Sequence, residues 1–176
     1  GELDRAAAWA QERGLDVTGA TPHAIADGSQ GSAIDYNLRE LEYLILARLA
    51  LAQGGGGQAL GLLQWLEREA AGQGRTRRLI EILALEALAT SQIPAEGGKP
   101  DRSKDALSPL ARALTLAEPE GYMRTFLDEG PPMARLLYLA AARGIAADYV
   151  GQLLTAFARE KQAFGATPAA APSEPA

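Results

Sequence analysis

A chain of 176 residues, 47% hydrophobic and 22% charged, is long enough for one domain that buries about two thirds of its unfolded surface. The absence of cysteine and the presence of a single histidine, His23, exclude disulfides, thiol nucleophiles, thiolate metal sites and multi-histidine metal sites, which leaves only oxygen ligands for a metal; no metal site and no cofactor is expected. A formal charge of −5 argues against a nucleic-acid surface, and Arg48 interrupts the longest apolar stretch before it reaches the roughly 18 residues of a membrane span.

The opening GELDRAAAW carries neither a basic lead nor a hydrophobic core for export, which suits a cytoplasmic protein. It starts inside a helical pattern without an initiator methionine, as a piece cut from a longer chain would. Residues 2–13 form a short amphipathic helix bearing Leu3, Ala6, Ala7, Trp9 and Ala10, with Gly14 placed for a left-handed cap. It resembles the second helix of a hairpin whose first helix lies upstream. Residues 15–37 show no period and contain Pro22, Gly28 and Gly31, so they read as a loop, with a helical or disordered part as the alternative for so long a link.

The central stretch, residues 38–73, reads as two helices folded back across the glycine run Gly54 to Gly57. In the second helix Ala59, Leu62, Leu63, Leu66 and Ala70 recur at i, i+3, i+4, i+7 and i+11, one stripe of a 3.6-residue period. The first is apolar nearly all round from Tyr43 to Ala52, so it needs partners on more than one side. With Ala59 at the small position of the second helix, Tyr43 falls at the large aromatic position of a tetratricopeptide pattern. Leu46 and Ala47 fall at the Leu-Gly pair, and Gly54 near the turn.

Residues 75–92 are the third main helix, with Leu79, Ile82, Leu83, Leu88 and Ala89 on its apolar side and Arg77, Arg78, Glu81 and Glu86 elsewhere. Residues 93–102 are a Pro/Gly break. Ser103 can cap a fourth helix striped by Ala106, Leu107, Leu110, Ala113, Leu114 and Ala117. This is a second copy of the hairpin: Ala47 to Ala87 is 40 residues along the first helices and Ala59 to Ala106 is 47 along the second, which puts seven extra residues in the turn. Pro109 requires either a kink or a later start at Ser108. Beyond Ala117, residues 122–127 form a short helix, Pro131 and Pro132 open the next, which closes at Gly144, and a last helix carries Tyr149, Val150, Leu153, Leu154 and Phe157. The ending GATPAAAPSEPA is a Pro/Ala-rich linker.

Little of this carries chemistry. The glycine run and the Gly97, Gly98, Lys99 stretch lack the strand, spacing and Ser/Thr of a phosphate loop and read as turns. His23 has no catalytic surroundings. Asp128 and Glu129 would need a shared polar cleft to act as an enzyme's carboxylates. Arg75, Arg77 and Arg78 open a helix where the macrodipole is already positive, so they are either a site for an anionic group or acidic surface, or side chains that are solvated or paired with Glu81 and Glu69. Tyr122, Arg124, Phe126, Asp128 and Glu129 are read as pinning the short helix onto the last repeat. Solenoids bind along the wall made by the first helix of each pair. The register puts Leu41, Leu44, Arg48, Leu51 and Ala52 on that wall, with Arg48 as polar anchor, unless the face is simply packed against its neighbours.

Three segments, LRELEYLILARLALAQG, its continuation QALGLLQWLEREAAGQGRTRRLIEILALEALA, and above all the part of LAEPEGYMRTFLDEGPPMARLLYLAAARGIAADYVGQLLTAF that reads EPEGYMRTFLDEGPPM, resemble the helical-repeat region of MalT-like, LuxR-type bacterial transcription regulators. The likeness covers residues 38–157. It implies a nucleotide-binding STAND module before the repeats, which receive the inducing signal, and a helix-turn-helix DNA-binding domain after a linker. Pro109 and residues 93–102 depart from the tighter turns usual there.

The fold expected is therefore all-α: tetratricopeptide-like helical hairpin repeats, an α-solenoid of about seven helices over residues 1–164, followed by a linker over 165–176. The function expected is a non-enzymatic sensor and coupling region, or else a passive interaction scaffold. Its partners would be a small-molecule effector or a protein, and the flanking NTPase and helix-turn-helix domains of the same chain. DNA would be touched only through the latter, no membrane is involved, and self-association is compatible with the fold. Leu44, Arg48, Leu51, Arg78 and Glu81 are the expected binding residues.

Overall fold

The computed structural model describes residues 1–13, 15, 33–94 and 103–165. Among them there is no strand, and the helices are α1 (Glu2–Glu12), α2 (Ala33–Ala52), α3 (Gly56–Gly72), α4 (Thr76–Gln92), α5 (Ser103–Ala117), α6 (Arg124–Leu127), α7 (Gly130–Ala141) and α8 (Ala147–Gly165), with a 3-10 turn at Glu118–Glu120. No helix among the described residues is long and apolar enough to cross a membrane.

The helices pair in sequence as α2/α3, α4/α5 and α7/α8, and the first helices α2, α4 and α7 pack side by side through α2 with α4 and α4 with α7. Each second helix also touches the first helix of the following pair, α3 against α4 and α5 against α7; α1 packs against α2 in the same manner, as the second helix of a preceding pair would. The two hairpins that share a register are real. Tyr43 packs edge-on against Trp65 across the first pair at 6.1 Å and 72°. Ala47, Ala59, Ala87 and Ala106, the four small positions that align the copies, are all fully buried, where a larger side chain would push the helices apart.

The turns follow from the glycines. Gly54 has φ +78°, so the chain leaves α2 through the left-handed region, and the N–H of Gly55 donates to the Ala50 carbonyl at 2.8 Å. Gly56 permits a closer approach: a Cβ there would lie 2.6 Å from the Ala89 carbonyl oxygen and 2.7 Å from Gln92 Cβ. At the same corner the Gln92 amide donates to the Leu51 carbonyl at 3.1 Å and satisfies an end-of-helix acceptor on α2.

Several expectations are corrected. The first central helix begins at Ala33 instead of Leu38, because no Gly or Pro interrupts the chain after Gly31. The fourth main helix starts at Ser103 with Pro109 inside it, which settles where it begins. The short helix before α7 covers only Arg124–Leu127. Glu86, placed off the apolar side of α4, is 5% exposed, since α4 packs against α2, α3, α5, α6 and α7 and has little open face. The expected cap at Gly14, most of the expected loop and the break, and the Pro/Ala-rich tail from 166 onward lie outside the described residues.

Candidate functional site

The first helices are apolar where they touch their second helices and carry charge where they face one another. On α4, Arg75 and Arg78 approach the positive end of the helix macrodipole, an arrangement that calls for a carboxylate. Glu40 of α2 supplies it. Its Oε2 accepts from Arg75 Nη1 and, at 3.2 Å, from Arg78 Nε. Glu40 is 2% exposed: both guanidiniums hold its Oε2, while its Oε1 is buried without a hydrogen-bond partner.

From Arg78 the network continues one turn along α4 to Glu81, which accepts from Arg78 Nη1. Glu81 Oε1 in turn accepts from Arg48 Nη2 of α2 at 2.9 Å. The same guanidinium donates from Nη2 and Nε to Glu129 Oε1 at 2.8 and 3.2 Å. Glu129 is the residue on which α7 begins. A single chain of ion pairs, Arg75–Glu40–Arg78–Glu81–Arg48–Glu129, thus crosses from the first pair to the second and ends at the foot of the third. Burial alone would lower the Arg48 guanidinium's pKa; Glu129 and then Glu81 outweigh that and hold it above its ordinary value.

Of the expected binding residues, Arg48, Arg78 and Glu81 are brought together in this network. Leu51 is half-buried and Ala52 exposed at the end of α2. Leu44 is 1% exposed and belongs to the core, whereas Leu41, expected on the same wall, is exposed. Ile45, next to Leu44, faces outward instead, on a stripe with Leu38 and Leu41, since a helix apolar nearly all round gives no period from which to choose the open face. The wall is more charged than its sequence suggested. Glu40 and Glu129 were not expected in it; the signal available was Arg48 itself, a lone charge in an apolar run that must find partners across the fold.

An open groove of about 620 Å³ runs beside the network, lined by Glu40, Leu41, Thr76, Arg77, Arg78 and Glu81 among others. Arg75 and Arg78 pair with Glu40, and Arg78 also with Glu81, whereas Arg77 is exposed at the rim. Among the described residues, no group of three metal-ligating side chains is assembled.

The segment after α5 packs as expected of a pin. Phe126 is fully buried and meets Tyr149 of α8 edge-on at 6.3 Å and 82°. Burial, reinforced by Glu118, pushes the Tyr149 hydroxyl up to about 12. Arg124 bonds both Asp128 and Glu160 of α8. Asp128 and Glu129 are therefore held by different arginines, Arg124 and Arg48.

A second charged cluster sits between α3, α4 and α5. Burial, then the charge of Glu67 and a hydrogen bond to its side chain, push the Glu86 carboxyl up to about 8, against the opposing pull of Arg112 and Arg68. Arg112 reaches Glu67 at 2.6 Å.

Against known families, residues 1–143 match the model described as MalT-like TPR region. The match takes in α1 and extends into the turn after α7, and it includes the whole of the EPEGYMRTFLDEGPPM segment. No curated protein and no solved structure matches the chain.

Proposed function

This chain belongs to the MalT-like TPR region family, and we propose that it serves as the sensor and coupling repeat domain of a LuxR-type bacterial transcription regulator. In this reading an effector or protein partner occupies the wall of the first helices in the cytoplasm. Occupancy changes how the hairpins sit on one another, and this biases a nucleotide-binding module and a DNA-binding module at either end. The domain performs no chemistry of its own.

The observation that supports this most is the Arg48 bridge, in which one guanidinium on α2 holds Glu81 of α4 and Glu129 at the start of α7. A ligand competing for Arg48 would weaken both contacts together, which is the kind of differential contact a coupling element requires. The test is the full-length regulator in a transcription reporter. Arg48→Ala should alter output in the absence of inducer or abolish the response to it, with the protein still present at normal level. Unchanged regulation after deletion of the repeats would overturn the proposal. If ligand bound the repeats without changing exchange protection along α2, α4 and α7, the passive scaffold would be the better description.

A further inference from the structure

Beside the ion-pair network, α2 carries three exposed aliphatic side chains, Leu38, Leu41 and Ile45, at 52, 43 and 45% exposure. They fall at i, i+3 and i+7, so they form one ridge about 10 Å long on a single helix face. Solvent exposure of three aliphatics in a row is unfavourable unless something covers them. The ridge is bordered by a hollow on each side. On the α1 side Arg13, Arg39, Leu38 and Glu42 line one. On the α4 side is the groove that includes Leu41, Arg75, Arg77 and Arg78.

Charge decides what would fit. Five arginines (13, 39, 75, 77 and 78) border the ridge against three glutamates (40, 42 and 81), a surplus of two positive charges in a chain whose formal charge is −5. All three glutamates are engaged: Glu42 with Arg13, Glu40 with Arg75 and Arg78, and Glu81 with Arg78 and Arg48. The exposed Arg39 and Arg77 stand on opposite sides of the ridge.

We infer that this ridge docks an amphipathic acidic helix of a protein partner, its apolar stripe laid along Leu38, Leu41 and Ile45 and its flanking carboxylates meeting Arg39 and Arg77. A helix with apolar residues at i, i+3 or i+4 and i+7 has the matching length, and its own ridges enter the two hollows. Nucleic acid fits poorly, because Glu40, Glu42 and Glu81 line the same hollows and the whole chain repels phosphate. The inference rests on the reading of these repeats as a partner-receiving region.

The test uses the 176-residue chain and a fluorescein-labelled synthetic helical peptide with Leu at i, i+3 and i+7 and Glu on both flanks, followed by fluorescence polarisation. Saturable binding that weakens as salt is raised is expected. The double variant Arg39→Glu/Arg77→Glu, and separately Leu41→Ser/Ile45→Ser, should each weaken it at least about tenfold while leaving Tm within a few degrees, since these side chains are exposed. Equal binding of a scrambled peptide of the same composition, undiminished binding by either variant, or no binding at all would overturn the inference. So would sedimentation showing that the ridge is instead buried between two copies of the chain. A reporter that still needs the repeats while the peptide fails would remove the ridge and leave the coupling function standing.

Discussion

Arg48 holds Glu129 more firmly than it holds Glu81: two of its nitrogens, at 2.8 and 3.2 Å, reach Glu129, and one, at 2.9 Å, reaches Glu81. The Glu129 side chain is 11% exposed, so removing Arg48 leaves a nearly buried carboxylate without its main partner. Arg48→Ala should cost about 1–3 kcal/mol in urea unfolding, toward the lower end because the Arg48 side chain is itself 39% exposed and screened. A double-mutant cycle should give a larger coupling for Arg48 with Glu129 than with Glu81. Arg48→Lys should recover only part of the loss, since a single ammonium lacks the fork that spans both carboxylates.

Glu86 makes stability depend on pH in a direction opposite to most carboxylates. Its folded value of about 8 lies above the unfolded value of 4.5, so the folded state binds the extra proton. The stabilisation is complete below about pH 4.5, falls as pH rises from there to 8, and is fully lost above, a change of the order of a few kcal/mol at most. Glu86→Gln should flatten that slope and raise Tm at pH 8.5 relative to the parent chain. Parallel Tm curves for the two proteins from pH 5 to 9 would contradict it.

Two adjacent glycines should respond with opposite signs. Gly56→Ala forces a Cβ against the Ala89 carbonyl and Gln92, and should lose about 1–3 kcal/mol despite the better helix propensity of alanine. Gly57 has open space around the same position. Gly57→Ala should gain up to about 1 kcal/mol by denaturant melting.

Phe126 anchors the end of the array. Phe126→Ala empties a fully buried site against Tyr149 and should cost about 3–5 kcal/mol. Hydrogen exchange should show α8 losing protection first, ahead of α3 and α4.

The parts of this fold legible in the sequence are those where one face is buried and the other wet. The stripe Ala59, Leu62, Leu63, Leu66 and Ala70 is buried residue for residue, and so is Ala106, Leu107, Leu110, Ala113, Leu114 and Ala117. Such helices announce their inner face by period. Helices α2 and α4 do not, because neighbours on several sides erase the contrast between faces. Hence Leu44, expected on the wall, and Glu86, expected off the apolar side of α4, both lie in the core. Of the site, Arg48 was legible as a lone charge, and Arg78 with Glu81 as a pair three residues apart. Glu40 lies 35 and 38 residues from Arg75 and Arg78, and no spacing rule connects charges that meet only when two hairpins stack. The first turn of α2, Ala33 to Asn37, carries Asp35 and Asn37 and too few apolar residues to show a period, so the periodic stretch starts only at Leu38.

The Arg48–Glu129 bond joins positions 81 apart and passes over the whole second hairpin. In an array whose repeats touch only their neighbours, the ends can fray while the middle persists, and unfolding spreads stepwise like a zipper. A strap from the first hairpin to the threshold of the third restrains that freedom at this one point. The first hairpin and the start of α7 are then expected to part together, while α8 beyond them stays free to open first.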